Sequence, residues 1–160
     1  MAVLADTNIL LRTAQPHHPH FAITLHALDA LRDRGERPRI VSQNIVEFWA
    51  AATRPASANG LGMTTEQAAL ELGNLKSLFH LLPEVPIHTE WERIVRKYQV
   101  SGKSVHDARQ VAAMIVHGIG EILTFNMQDF ARSLRFPLSI PLRSAKAAQA
   151  DSRAPDADRR

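Results

Sequence analysis

The sequence has no cysteine, which excludes disulfides and thiolate metal sites and leaves histidine, carboxylate, carbonyl and water as the only means of holding a metal. Oxygen ligands of that kind favour magnesium or manganese. It also has no basic leader at its N-terminus and no apolar run near the ~18 residues that a membrane span requires. A soluble, cytoplasmic protein without a membrane anchor is therefore expected. Charge is not extreme: a net +3 with a sequence pI near 9.8 permits a polyanionic partner without demanding one. What remains is a chain of 160 residues, 45% hydrophobic, enough for one domain with a sizeable core and too little for two.

The chain is organised around Val3-Leu4-Ala5-Asp6-Thr7-Asn8, an apolar run that reads as a buried strand and stops on an acid. In open α/β sheets ligands bind beyond the carboxyl ends of the strands, which places Asp6 where a site would lie. The same tripeptide also serves as an ordinary turn or helix cap. Both readings stand at this point.

A first helical turn over Ile9 to Arg12 is broken by Gln15-Pro16-His17-His18-Pro19-His20, whose prolines forbid a regular helix. Its histidines have no second cluster at ligand spacing and read as a solvated loop. Phe21, Leu25, Leu28 and Leu31 recur at helical spacing, with Gly35 as the stop. Arg39 to Ser42 reads as a second strand, and Ser42 as the N-cap of a helix carrying Ile45, Val46, Phe48 and Trp49. Within that helix Glu47 falls on the solvated side by apolar periodicity. Residues 56 to 63 read as a flexible loop.

Thr64 with Gln67, Thr89 with Glu92, and Ser104 with Asp107 all have capping-box spacing ahead of helical patterns. A short extended piece is expected at Glu84 to Ile87. By itself Asp107 is a capping acid in a first turn, well placed for the helix dipole. Glu121 to Phe125 reads as a buried strand ending at Asn126, with Asp129 just beyond. The run Pro137 to Pro141 reads as an edge strand. The domain is expected to span residues 1–142, followed by a disordered tail over 143–160.

This alternation of strands and helices predicts a three-layer α/β/α domain with a mainly parallel central sheet. Asp6, Glu47, Asp107 and Asp129 each lie just after a strand or at the start of a helix, so that one sheet edge gathers them. Clustered carboxylates repel unless a cation neutralises them. A divalent ion there suits phosphodiester hydrolysis.

The same residues resemble the PIN domain family, most closely its VapC-type ribonuclease toxins. The resemblance rests on Asp6-Thr7-Asn8, Val46-Glu47-Phe48-Trp49, His106-Asp107-Ala108-Arg109 and Leu123-Thr124-Phe125-Asn126-Met127-Gln128-Asp129-Phe130, and it covers the chain up to Leu142. It implies a metal-dependent endoribonuclease in which Asp6, Glu47 and Asp107 are the acidic motif residues that bind Mg2+ or Mn2+, with Asp129 completing the set. Many relatives have an acid where this chain has Asn126. Asn8 and Thr124 match polar positions that orient ligands or the scissile phosphate, and Asn126, at the departing position, is expected beside the ligands rather than as one of them. The resemblance further implies an RNA substrate, products with 5′-phosphate and 3′-hydroxyl ends, a small antitoxin partner and a homodimer. Rival readings are a PIN fold that binds RNA without cutting it and a phosphate-accepting receiver domain; the receiver wants adjacent acids after the first strand, where Thr7 and Asn8 stand. Arg12, Lys103, Arg109 and Arg132 are candidates for holding phosphate.

Overall fold

The computed structural model describes residues 2–127 and, as a final strand, residues 142–144. Five strands form one sheet: β1 (Val3–Ala5), β2 (Arg39–Ile40), β3 (His80–Leu81), β4 (Glu121–Thr124) and β5 (Leu142–Ser144). Their order is β3-β2-β1-β4-β5 and every pairing is parallel. Among the described residues six α-helices accompany them: α1 (Thr7–Thr13), α2 (Phe21–Asp33), α3 (Ser42–Thr53), α4 (Thr65–Leu78), α5 (His88–Lys97) and α6 (Ser104–Val116).

The central strand is apolar throughout because it is covered on both faces. Val3 and Ala5 point to one side, where with Ile40 and Leu123 they meet Ile9, Leu10, Leu31, Phe48 and Leu75 from α1 to α4. Leu4 and Ile122 point to the other, against Ile94 of α5 and Ala108, Val111 and Met114 of α6. The period-2 alternation of one short strand thus feeds two cores, and the expected three-layer α/β/α architecture is the observed one.

Local chemistry accounts for several boundaries. Gly35 and Gly118 take φ of 72° and 62° just after α2 and α6, a left-handed conformation that glycine adopts without a Cβ clash. The amides of Glu36 and Ile119 then reach back to Leu31 O and Met114 O, satisfying carbonyls that the helix ends would leave bare. Thr64 caps α4 as its spacing predicted: its hydroxyl accepts from the Gln67 amide, and Gln67 Oε1 accepts from the Thr64 amide.

Other expectations are corrected. Ser42 is the first residue of α3 rather than its cap; the Val41 amide donates instead to Asn44 Oδ1 at 2.9 Å. Neither Thr89 nor Ser104 caps a helix, since α5 follows Ile87 and α6 follows Lys103 without a side-chain cap bond. The short strand after α4 is His80–Leu81, paired with β2, and not Glu84 to Ile87. Residues 56 to 63 are bonded to α3: the amides of Leu61, Gly62 and Met63 donate to Ala51 O, Arg54 O and Ala52 O. The last described strand is β5 at Leu142–Ser144, and the edge strand expected at Pro137 to Pro141 lies outside the described residues.

Candidate active site

The strand order reverses between β1 and β4: the chain leaves β1 towards β2 and β3, then returns to the opposite side of β1 as β4. A crevice opens at such a switch point, beyond the carboxyl ends of the two strands. Asp6 follows β1 and Thr124 ends β4, and they meet there, the Thr124 hydroxyl donating to Asp6 Oδ2 at 2.7 Å. The Asp6 amide donates to Leu123 O at 3.0 Å, which seats the aspartate on the neighbouring strand. Asp6 also precedes α1 as its N-cap residue, but its side chain makes no capping bond. The carboxylate faces the crevice instead.

Three neutral donors hold it. Asn8 Nδ2 donates to Oδ2 at 2.7 Å and Gln110 Nε2 to Oδ1 at 3.3 Å, in addition to Thr124. Asn8 binds Thr124 Oγ1 as well, at 3.0 Å, and its Oδ1 accepts the Phe125 amide at 3.3 Å. The Asn126 amide donates to Thr124 Oγ1 at 3.0 Å while its side chain is exposed. Burial pushes the Asp6 pKa above the usual carboxylate value; the hydrogen bonds oppose that rise and the charge of Glu47 adds to it.

Glu47 is on the inner side of α3, not the solvated side that periodicity indicated. Its Oε2 accepts from the Thr7 hydroxyl at 2.5 Å and its Oε1 from Gln43 Nε2 at 2.7 Å. Asn44 Nδ2 in turn donates to Thr7 Oγ1 at 3.2 Å. Gln43, only 6% exposed, is a joint between helices: Nε2 also donates to His106 O at 3.1 Å, and Oε1 accepts from Arg109 at 3.0 Å. Thr7, Gln43, Asn44 and Gln110 went unread in the sequence. The available signal was spacing, with Gln43 and Asn44 one turn before Glu47 and Gln110 one turn after Asp107.

Asp107 is half-buried in the first turn of α6, on the turn that Gln43 ties to Glu47. Asp129 lies outside the described residues. Among the described residues no three or more histidine, cysteine, aspartate or glutamate side chains are gathered closely enough to hold a metal ion. The donor set that is brought together, Asp6 and Glu47, still fits a hard cation. It is all oxygen, partly desolvated and self-repelling, and no cationic side chain contributes to the shift of Asp6. Magnesium needs only one or two protein carboxylates when substrate phosphate and water fill the remaining positions. A groove of about 640 Å3 between Glu84 to His88, Trp91 and Arg109 shares Arg109 with this site, and its described lining includes none of Asp6, Glu47 and Asp107.

The joint at Gln43 gives a direct expectation. Gln43→Leu removes the acceptor that Arg109 uses and one of the two donors to Glu47, Thr7 being the other, and should lower stability by about 1 to 2 kcal/mol. Urea denaturation checks this, and a loss below 0.5 kcal/mol, the ordinary range for surface changes, would show that the joint carries little.

The fold and its crevice define a parallel α/β domain with paired acids at the topological switch point. No protein-family model matches the sequence, and no curated protein does. Among solved structures, a chain in the crystal structure of VapBC2 from Rickettsia felis bound to a DNA fragment from their promoter is similar in fold, with a TM-score of 0.63 and 15% sequence identity over 90% of this chain and 98% of that one. No described helix is long and apolar enough to cross a membrane.

Proposed function

We propose that the protein is a metal-dependent endoribonuclease that hydrolyses RNA phosphodiesters and acts as the toxin of a toxin-antitoxin pair. The observation that carries this reading is Asp6 at the end of the central strand, tied to Thr124, Asn8 and Gln110 with Glu47 beside it. The likeness of fold to a chain of a VapBC complex supports the toxin role and a small antitoxin partner, as does the resemblance of the motifs to PIN-domain toxins.

Asp6 and Glu47, with Asp107 from α6 and Asp129, would hold magnesium or manganese. A bound ion of that kind supplies Lewis acidity, polarising a phosphate and acidifying water. Thr124, Asn8 and Gln110 keep the Asp6 carboxylate in one orientation, so that its geometry is set before substrate arrives. Glu47, fixed by Thr7 and Gln43, takes a proton from the attacking water. Water oxygen bonds to phosphorus as the bond to the 3′ oxygen breaks, and the departing 3′ oxygen takes a proton from solvent, leaving 5′-phosphate and 3′-hydroxyl ends.

The test is incubation of the purified chain, free of antitoxin, with a panel of structured RNAs and manganese or magnesium, beside Asp6→Asn and Asp107→Asn variants. Cleavage confined to the unaltered protein with metal is expected, with rate losses of at least about a hundredfold in either variant. A second reading, an RNA-binding protein that does not cut, is favoured by the absence of a three-acid group among the described residues. RNA binding that persists in chelator, with no cleavage by any form, would establish it.

A further inference from the structure

Arg12 lies one helical turn beyond Asn8 on α1, roughly 6 Å along the axis from the residue that holds Asp6. Its guanidinium is half-buried, and its recorded partner is neutral: one terminal nitrogen donates to Gln15 Oε1. The Nε is fully buried without a hydrogen-bond partner. Among the described residues no carboxylate pairs with Arg12, whereas Arg32 and Arg93 have Asp29 and Glu90. A cation withdrawn from water with no counter-charge is costly unless something anionic comes to it.

The histidines of the broken segment gather beside it. They are not all solvated, as the sequence suggested: His17 is exposed, but His18 and His20 are half-buried. The His20 amide donates to His18 Nδ1 at 3.0 Å, and the two rings meet edge to face with centroids 5.2 Å apart. His20 stacks on Phe125 at 4.5 Å, and the Phe125 amide is bound by Asn8. A continuous chain of contacts therefore runs from Asp6 through Asn8, Phe125 and His20 to His18. The charges of Arg12 and His20, after burial, hold the His18 pKa below its usual value, so these groups are close enough to repel. Gln15, His17 and His18 also line a cavity of about 490 Å3 together with Pro16, Pro19 and residues 60, 61 and 63, and no acid is among its described lining residues.

We propose that Arg12 and His18, backed by His20, form an anion subsite that holds a phosphate of the bound RNA strand beside the scissile one. The proposal rests on the ribonuclease reading for the identity of its ligand, but not for the existence of an anion site. The chemistry shared by a free phosphate and an RNA phosphate is a tetrahedral oxyanion, for which arginine offers a fork of donors and His18 one more from Nε2, its Nδ1 already accepting from the His20 amide. An acidic crevice with a cationic flank suits a chain whose scissile phosphate must approach carboxylates while its neighbours are held by positive charge.

Two measurements on the full chain, without added metal, test this. Histidine ring resonances are followed by NMR at one mildly acidic pH as pyrophosphate is added. Saturable shifts of His18 and His20 are expected in the unaltered protein, absent in Arg12→Gln and retained in weaker form in Arg12→Lys. No saturable shift in the unaltered protein would overturn the subsite. In parallel, anisotropy of a labelled single-stranded oligoribonucleotide is read across a salt series. Arg12→Gln is expected to weaken binding about tenfold and to lower the slope against log salt by roughly one unit. Pyrophosphate binding without RNA binding would keep the anion site and reject the ribonuclease reading. RNA binding with an unchanged slope in Arg12→Gln would reject the strand path.

Discussion

Asp6→Asn is expected to abolish RNA cleavage and, without metal, to make the fold more stable. Burial and the charge of Glu47 push the Asp6 pKa up, and only neutral donors oppose that rise in favour of its carboxylate charge. Asparagine removes that charge and keeps one acceptor for Asn8 and Thr124. Its amide nitrogen would face Gln110, which can answer it: Gln110 is 3% exposed and its Oε1 is buried with no partner, so turning the amide over supplies the acceptor. A gain of about 1 kcal/mol is expected, the usual scale when a strained functional group is relieved. Magnesium should stabilise the unaltered protein by mass action and leave Asp6→Asn unmoved.

The sign of the pH dependence follows from the direction of the Asp6 shift. Its folded pKa lies above the unfolded value, so over that interval the folded chain carries more bound proton. The stability linked to this group is complete below the unfolded pKa and is lost as pH rises through the folded one. The advantage of Asp6→Asn should therefore be small in acid, grow as pH rises, and level off above the folded pKa. Urea titrations of both proteins at several pH values measure it. An advantage that stays constant with pH, or a less stable variant at neutral pH, would show that burial of Asp6 is compensated by something other than the neutral donors.

The architecture was legible in the sequence because it rests on signals that do not depend on distant contacts. Val3 to Ala5 is a short unbroken apolar run that only a doubly covered strand needs, and in Glu121 to Thr124 the pair Ile122-Leu123 gives the same signal between two polar ends. Thr64 and Gln67 form their capping box with each other, four positions of chain being the whole device. Glu47 was misread because apolar periodicity treats any polar residue as solvated. On α3 the buried face includes a polar stripe of Gln43, Asn44 and Glu47, whose partners Thr7, His106 and Arg109 lie 37 to 66 residues away in sequence. Ser104 failed as a cap for a similar reason: the helix starts one residue earlier than its side chain would require, with Lys103 in a helical conformation ahead of it. For His18 and His20, the prolines correctly forbade a helix but carried no information about Phe125, on which the segment folds back.

Phe48→Ala should bring the largest loss of stability, about 3 to 5 kcal/mol, against a total of roughly 5 to 15 kcal/mol for a domain of ordinary stability. Phe48 is fully buried, in the core shared with Ile9, Leu10 and Leu75, and α3 packs there on both α1 and α4. Removing the ring deletes its transfer free energy and leaves a cavity between elements already joined by backbone, which cannot close freely. Val46, two residues earlier and 68% exposed, provides the comparison: Val46→Ala should change stability by no more than about 0.5 kcal/mol. Urea midpoints with an unchanged m-value separate the two. The consequence reaches the site because Phe48 fixes the rotation of α3 about its axis, and with it the approach of Glu47 to Thr7. In protein that remains folded, Phe48→Ala should therefore cleave RNA more slowly than Val46→Ala. Equal rates from the two folded proteins would mean that Gln43 and Asn44 hold Glu47 in place without the anchor behind it.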